Sequence, residues 1–258
     1  MKTKAPFNRC AGLIVLDVTM SNPNGDPDLE SDPRIISDSG IGVISPVSVK
    51  RKMRDLIGDE SVVFEAAKET LSLEQNSDNH YEILESRGRD RKVIIKMNKE
   101  EFTSKYWDAR IFGNTFLESM KNDKEMKGKD VDHFINTGVI QIGVGLSIAP
   151  IEIERMTLTN KSGVESDKDR GMAPMAFRVV RHGVYCIPFF VNPSIAKKTG
   201  ATNKDLDLFK FILPHTYQHT SSAIRPQVTI LHAWFAEHKS PLGSYPDHRL
   251  IKVLMPSV

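Results

Sequence analysis

The feature that most constrains the fold is an apolar run followed at once by a stretch of turn-forming residues. Residues 13–18 read Leu-Ile-Val-Leu-Asp-Val, which is apolar and β-branched on both faces apart from Asp17. Such a run predicts a central β-strand that is covered on both sides. Residues 21–28 then contain Asn-Pro, Asn-Gly and Asp-Pro, each of which favours a turn. The chain should therefore leave this strand through an irregular loop.

A short helix is predicted after the loop. Ser45 can cap it, and Pro46 suits the first helical position because the N–H group that it lacks would have no helical partner. Gly58 should end it. Its apolar face has four members at helical spacing: Val49, Met53, Leu56 and Ile57.

The same helix is dense in positive charge. Four of the five residues 50–54 are basic, with Lys50, Arg51 and Arg54 on one flank and Lys52 on the other. One interpretation is an ordinary solvated helix face. The other is a strand-loop-helix unit that presents backbone N–H groups and a positive helix N-terminus to a phosphate. The neighbouring loop favours a phosphate backbone as the partner.

Composition narrows the class of protein. The chain has 258 residues, of which 40% are hydrophobic and 26% charged, so it can bury a sizeable core. No apolar run reaches the roughly 18 residues of a membrane span, and residues 1–6 lack the apolar part of a signal peptide, so we expect a cytoplasmic protein with no membrane partner. The net charge of only +2 argues against coating nucleic acid by bulk electrostatics and allows a local basic stripe. Cys10 and Cys186 form no metal or disulfide pattern.

The middle of the chain has a different organisation. Residues 62–73 have helical spacing, residues 93–95 read as a short strand, and residues 59–110 as a whole suit an insertion subdomain. Residues 140–148 alternate strictly between apolar and small or polar side chains, which predicts a strand with one buried face.

A β-hairpin arm is predicted at residues 154–178. Its tip, residues 159–169, is polar, and its strands carry three arginines and two methionines: Arg155, Arg170, Arg178, Met172 and Met175. The methionines can be packing filler, because Met fills irregular gaps. Alternatively, one of them lies between bases of a nucleic acid strand while the arginines hold phosphates.

The sequence pattern in the last third of the chain predicts one helix and two strands. Thr202 can cap a helix, and residues 227–235 and 249–254 are strand-like. The order of elements over the whole chain predicts an α+β fold: a single ferredoxin-like or RRM-like domain spanning residues 1–258, with insertions and the projecting hairpin.

No catalytic or metal-binding pattern stands out. Residues 22–32 alternate oxygen-bearing side chains, but Pro27 occupies the position where a calcium loop requires Gly. His215 and His219 have zinc-like spacing without a Glu between them. Neither a P-loop nor a nucleophile elbow is present. We therefore expect no metal, no cofactor and no enzymatic activity.

Several blocks resemble one known family. Asn-Pro-Asn-Gly-Asp-Pro-Asp at residues 22–28, Pro33-Arg34, and Lys-Arg-Lys-Met-Arg at residues 50–54 are similar, in order and spacing, to the opening block of the Cas-seven backbone subunits of type I CRISPR surveillance complexes (Cascade). The type I-B and I-C branch is the most similar. Later blocks at residues 108–113, 153–157, 183–185 and 242–250 look like further parts of the same family.

The resemblance implies a non-catalytic subunit that polymerises head to tail along guide crRNA, alongside other Cascade subunits, while target DNA is read through the guide. In that family the hairpin is a thumb that reaches over RNA held by the next subunit. Carried onto this chain, the predicted RNA-binding residues are Asn22, Asn24, Gly25, Arg34, Lys50, Arg51, Arg54, Arg155, Arg170, Met172, Met175 and Arg178. Asn22, Asn24 and Gly25 have the alternative role of simply forming the turn.

Two rival functions remain open. Relatives in type III complexes cut target RNA with an Asp in the loop after the first strand, where this chain has Asp26, Asp28 and Asp32. A stand-alone RNA-binding module of no fixed stoichiometry is the other alternative.

Overall fold

A computed structural model describes residues 5–58, 60–73, 79–86, 89, 91–116, 134–161 and 172–256. The helices of this part are α1 (Pro46–Arg54), α2 (Val62–Leu71), α3 (Arg91–Ile95), α4 (Lys99–Lys105), α5 (Trp107–Phe112), α6 (Ala196–Thr199), α7 (Asn203–Ile212) and α8 (Asp247–Leu254). The strands are β1 (Cys10–Ser21), β2 (Gly25–Asp26), β3 (Asp32–Pro33), β4 (Ile35–Ile36), β5 (Ile41–Ile44), β6 (Gly113–Phe116), β7 (Phe134–Thr137), β8 (Ile140–Ile142), β9 (Gly145–Pro150), β10 (Ile153–Lys161), β11 (Met172–Val191) and β12 (Val228–Glu237).

The main sheet is antiparallel, and β1 is an interior strand between β12 and β11. Its strand order is β12-β1-β11-β9-β5-β4, and β8 and β10 also pair with β11. As predicted, β1 is covered on both sides: Ile14 and Leu16 face the main core, whereas Leu13 and Val15 face a second cluster that includes Ile251 of α8. This explains why residues 13–18 are apolar in both phases of the strand.

The predicted α+β class is confirmed. Four strands and two helices follow one another as β1, α1, β9, β11, α7 and β12, and the four strands lie side by side in the order β12-β1-β11-β9. This arrangement is compatible with a β-α-β-β-α-β core, and the finer RRM-like assignment stays a prediction. Aromatic rings fill the interior, with Phe189 contacting Phe209 and Phe235 at ring-centroid distances of 5.6 and 5.1 Å.

Local signals predict the helix starts correctly. Ser45 caps α1 with Pro46 in its first turn, and Thr202 forms a reciprocal capping box with Asp205 at the start of α7. The helix α1 ends at Arg54, four residues before Gly58, yet its predicted apolar face is buried throughout.

Three sequence-based predictions of secondary structure are wrong. Residues 93–95 belong to helix α3, and residues 249–254 lie in helix α8, where Ile251 and Leu254 are three apart and pack against β1. The alternation at residues 140–148 changes phase between β8 and β9: Ile142 is buried, but Leu146 is exposed while Ser147 is buried. Ser147 turns inward because its Oγ accepts a hydrogen bond of 2.8 Å from the backbone N–H of Gly42.

The predicted hairpin has a continuous antiparallel ladder. β10 pairs with β11 from Ile153↔Val180 to Lys161↔Met172. β11 then runs unbroken through Gly183 and pairs with β1 as far as Val191. The hairpin tip at residues 162–171 lies outside the described residues, and the boundaries 154–178 and 59–110 stay predictions.

Candidate nucleic-acid interface

Two asparagines of the loop after β1 join it to the neighbouring elements. Asn24 Oδ1 accepts a hydrogen bond of 2.6 Å from the backbone N–H of Ser45, the cap of α1. Asn22 is buried, and its Nδ2 donates to the carbonyl oxygens of Ser31 at 2.8 Å and Arg178 at 2.9 Å. The loop, the start of α1 and the root of the hairpin therefore form one connected unit, as the sequence predicts for the first two.

Gly25 fits this unit because it has no side chain. It pairs with Pro33 in the β2–β3 ladder, and a Cβ atom at Gly25 would lie only 3.0 Å from the carbonyl oxygen of Ser31. Asn22 Oδ1 is buried without a hydrogen-bond partner within the described part of the chain. Both acceptor positions of this oxygen are therefore unused in the described structure.

Two of the α1 cations lie toward solvent. The side chain of Arg51 is 47% exposed, pairs with Asp55 at 2.7 Å and donates to the carbonyl oxygen of Glu85. Lys50 is half-buried, with its Nζ 5.5 Å from the ring centroid of Phe112. Burial lowers the pKa of Lys50, and the nearby Arg54 lowers it further.

Arg54, in contrast, is turned inward. Its Nε donates to Asp108 Oδ2 at 2.7 Å, and its guanidinium lies 5.5 Å from the ring centroid of Phe112. Asp108 is buried and also accepts hydrogen bonds from the backbone N–H groups of Leu84 and Glu85. Arg54 therefore connects α1 to residues 79–112, which gives this basic residue a structural role that its place in the sequence does not reveal.

Lys52 is buried beneath the loop. Its Nζ donates to Ser48 Oγ at 3.1 Å and lies 5.4 Å from the ring centroid of Tyr217. Burial lowers the pKa of Lys52 to about 8, and the neighbouring Arg225 contributes to this shift.

We expect the stability of the wild type, relative to a Lys52→Met variant, to rise with pH between about 8 and 10.4. Lysine in an unfolded chain has a pKa of about 10.4, so within this window the unfolded state binds more protons than the folded state, and raising the pH favours folding. Urea unfolding of both chains at several pH values measures the difference. The control is Lys197→Met at an exposed position, and the stability difference between this variant and the wild type should not change with pH. If the stability difference for Lys52→Met does not change with pH either, the burial of the Lys52 ammonium group is contradicted.

Arg225 belongs to this unit, although sequence reasoning missed it. Its Nε donates to the carbonyl oxygen of Asn22 at 3.0 Å, and the backbone N–H of Asn22 donates to the carbonyl oxygen of Ile224. It stands alone between turn residues before β12 and belongs to no basic run. Only the contact made in three dimensions identifies it.

The predicted hairpin arginines meet acidic residues of the loop. Arg155 donates to Asp32 at 2.5 Å, and Arg178 donates to Asp32 at 3.0 Å and also to Glu30. The hydrogen bond from Arg155 is the largest cause that lowers the pKa of Asp32, opposed by its burial and assisted by Arg178. Arg34 makes a similar pair with Asp26 at 3.2 Å.

The remaining predicted site residues lie partly outside the described part of the chain. Arg170 is not among the described residues, and of Met172 and Met175 only the backbone, in β11, is described. Asp28, one candidate catalytic residue, is exposed and donates its backbone N–H to Asp26.

The search for metal ligands and membrane spans covers the same part of the chain. Among the described residues no group of three or more His, Cys, Asp or Glu side chains is arranged to hold a metal ion. No helix of the described ranges is both long and apolar enough to cross a bilayer.

Comparison with known proteins identifies the class. A model of the family "CRISPR-associated protein Cas7" matches residues 8–257, so the chain belongs to the Cas7 family. This confirms the family that the sequence blocks predict, while its I-B or I-C branch stays a prediction. No curated protein sequence matches the chain.

Solved structures with a similar fold are remote in sequence. A chain of a CRISPR RNA-guided surveillance complex is 14% identical, with 81% of this chain and 60% of that chain covered and a TM-score of 0.44. A pre-nicking CRISPR RNA-guided surveillance complex gives 14% identity, 84% and 76% coverage and a TM-score of 0.44. A type III-B Cmr-beta complex bound to cognate target RNA gives 8% identity, 89% and 61% coverage and a TM-score of 0.47. The chain thus spans about 60% of the length of two of these three.

Proposed function

We propose that this chain is a non-catalytic, crRNA-binding backbone subunit that polymerises along guide RNA in a type I CRISPR surveillance complex. The observation that carries the proposal is the match of the Cas7 family to residues 8–257, nearly the whole chain. The loop after β1, with Asn22, Asn24 and Gly25, lies between α1 and the hairpin, and basic side chains surround it. This supports a surface that follows a sugar-phosphate backbone.

Holding a guide by its backbone needs no base recognition. Contacts with phosphate and ribose carry no sequence information, so one subunit type can bind every segment of a guide. Base pairing then reads the target DNA, as in other RNA-guided systems. A repeating row of identical subunits requires head-to-tail contacts between copies, with other Cascade subunits at its ends.

The pairing of two loop carboxylates supports binding over catalysis. In the RNA-free chain Asp26 is held by Arg34 and Asp32 by Arg155 and Arg178, so both carboxylates would have to leave these ion pairs before they could bind a metal ion or a water molecule. Incubation of the assembled chain with complementary RNA and Mg²⁺ tests this: regularly spaced cleavage that an Asp26→Ala, Asp28→Ala or Asp32→Ala change abolishes would replace the proposal with the type III-like function.

We expect the double variant Lys50→Gln and Arg51→Gln to bind single-stranded RNA more weakly and with less dependence on salt. Arg51 is exposed and Lys50 is half-buried beside Phe112, and both are better test residues than Arg54, whose removal would leave Asp108 without its ion pair. Each lost phosphate contact should reduce the slope of log K against log salt by about 0.7, so the double variant should lose about 1.4.

The matched control is Lys197→Gln with Lys198→Gln, which removes the same charge from exposed positions on α6. Fluorescence anisotropy with a homopolymeric RNA, at four or more salt concentrations, measures the slopes. Equal slopes for the wild type and both variants would mean that the α1 flank is ordinary solvated surface. Size-exclusion chromatography with a long guide tests polymerisation, and a single subunit per guide at saturation would contradict it.

A further inference from the structure

Four acidic residues alternate along the loop that the proposed RNA surface surrounds: Asp26, Asp28, Glu30 and Asp32. A phosphate-binding surface gains nothing from such a cluster. Yet three arginines predicted to bind RNA each have one of these acids as a partner, with Arg34 pairing with Asp26, and Arg155 and Arg178 both pairing with Asp32.

Asp32 pairs with both Arg155 and Arg178, whose positive charges would otherwise repel each other. Arg155 and Arg178 are directly opposite each other in the β10–β11 ladder, and like charges at directly opposed positions destabilise a strand pair. Asp32 accepts from both guanidinium groups, and Glu30 accepts a second hydrogen bond from Arg178. The loop therefore supplies the negative charge that these two positions need in the RNA-free chain.

The backbone before Asp32 is held in an unusual conformation. Glu30 and Ser31 are consecutive non-glycine residues with φ of 48° and 67°, a left-handed conformation that is unfavourable for residues with a side chain. Local bonds hold this bend: the backbone N–H of Ser31 donates to the Asp26 carbonyl oxygen at 2.7 Å, and the Ser31 carbonyl oxygen accepts from Asn22. The bend brings Glu30 and Asp32 toward the arginines of the hairpin.

These ion pairs can be exchanged. Two of the pairs have one member that is well exposed: Arg155 is 60% exposed opposite Asp32 at 12%, and Glu30 is 78% exposed opposite Arg178 at 20%. An ion pair that water can reach from one side is weak enough for a phosphate to replace the carboxylate. Arg34 Nε and Arg178 Nε are also buried without a hydrogen-bond acceptor in the described ranges, so neither guanidinium group uses all its donors. A phosphate group offers more acceptor oxygens than one carboxylate, with comparable geometry for arginine.

We propose that residues 26–32 form an acidic gate: in the RNA-free chain their carboxylates occupy Arg34, Arg155 and Arg178, and RNA phosphates must displace them on binding. This inference rests on the proposed function and adds regulation to the same surface. The gate lowers affinity for any short or isolated RNA.

The test is the double variant Glu30→Gln and Asp32→Asn, which removes two carboxylates and keeps similar shapes. On a short single-stranded homopolymeric RNA it should bind about three- to tenfold more tightly than the wild type, because the three ion pairs that Glu30 and Asp32 make with Arg155 and Arg178 no longer compete with phosphate. Its salt dependence should also be steeper, by about 0.7 for each arginine that gains a phosphate. Adding Arg155→Gln to this variant should remove most of the gain.

The control is Glu152→Gln with Glu154→Gln, which removes the same charge next to the same hairpin, where Glu152 pairs with Arg181 instead of a gated arginine. If the control variant gains the same affinity for RNA, the effect is due to net charge alone and the proposed gate is wrong. Tighter binding by Glu30→Gln alone, whose side chain is largely exposed, supports the gate even if Asp32→Asn does not fold.

The outcomes separate the two proposals. If the wild type binds RNA and the folded double variant binds equally or more weakly, the gate is wrong and the proposed function stands. If neither chain binds RNA at low salt, both are wrong. If the double variant binds RNA and the wild type does not, both the gate and the proposed function are supported.

Discussion

Replacing Asp205 by Ala should lower the free energy of unfolding by about 3–5 kcal/mol, the range expected when one member of a buried ion pair is removed. The side chains of Arg110 and Asp205 are both fully buried, and Arg110 donates to Asp205 Oδ1 from Nη2 at 2.7 Å and from Nε at 3.1 Å. The other Arg110 donors bond to the carbonyl oxygens of Thr103, Ser104 and His80. Without Asp205 the positive charge would stay buried with neutral partners only.

Asp205 has a second role that adds to this loss. Its Oδ2 accepts from the backbone N–H of Thr202 at 2.8 Å and completes the capping box of α7. An Asp205→Asn variant keeps much of the cap and loses the charge, so its stability should lie between those of the wild type and Asp205→Ala.

Urea unfolding measures both variants. Asp207→Ala is the matched control, because Asp207 is exposed on the same helix two residues further along, and its change should stay within about 0.5 kcal/mol. A loss below about 1 kcal/mol for Asp205→Ala would show that α7 does not depend on the buried pair.

Replacing Asp108 by Ala should cost about 2–4 kcal/mol, because three donors lose their acceptor together. Asp108 accepts from Arg54 Nε and from the backbone N–H groups of Leu84 and Glu85, at distances of 2.7, 2.7 and 3.2 Å. The loss should be smaller than that for Asp205, since the side chain of Arg54 is 11% exposed and can turn partly to solvent.

The control for this change is Asp55→Ala, which removes an exposed carboxylate that pairs with Arg51 on α1. It should cost no more than about 0.5 kcal/mol. If Asp108→Ala and Asp55→Ala unfold at the same urea concentration, the contact between Arg54 and Asp108 has no structural importance, and Arg54 returns as a candidate for direct RNA contact.

Local chemistry makes part of this fold predictable from sequence. The apolar run at residues 13–18 identifies β1, and the caps at Ser45 and Thr202 identify the starts of α1 and α7. Each of these depends on residues within a few positions of one another. Residues 249–254 have a strand-like pattern although they lie in α8, because six residues are too few to distinguish the helical period of 3.6 from the alternation of a strand.

The roles of the charged residues depend on partners that are far away in the sequence, and a local sequence pattern does not predict these partners. The block at residues 108–113 indicates the family, but the partners of Asp108 and Arg110 are 54 and 95 positions away. The basic run at residues 50–54 likewise gives no sign that Lys52 is buried and Arg54 pairs with a buried carboxylate, while Arg51 is exposed. Only the folded structure shows which of these cations are exposed and could contact a ligand.

The length of β11 has a mechanical consequence. The strand has 20 residues and is about 60–65 Å long if fully extended; it pairs with β10 over its first part and lies beside β1 over its second. A pull on the hairpin is therefore transmitted along one uninterrupted backbone to the middle of the main sheet. Tilting the hairpin means bending a strand whose second half is already packed in the hydrophobic core, so the hairpin should move as a stiff extension of the main sheet.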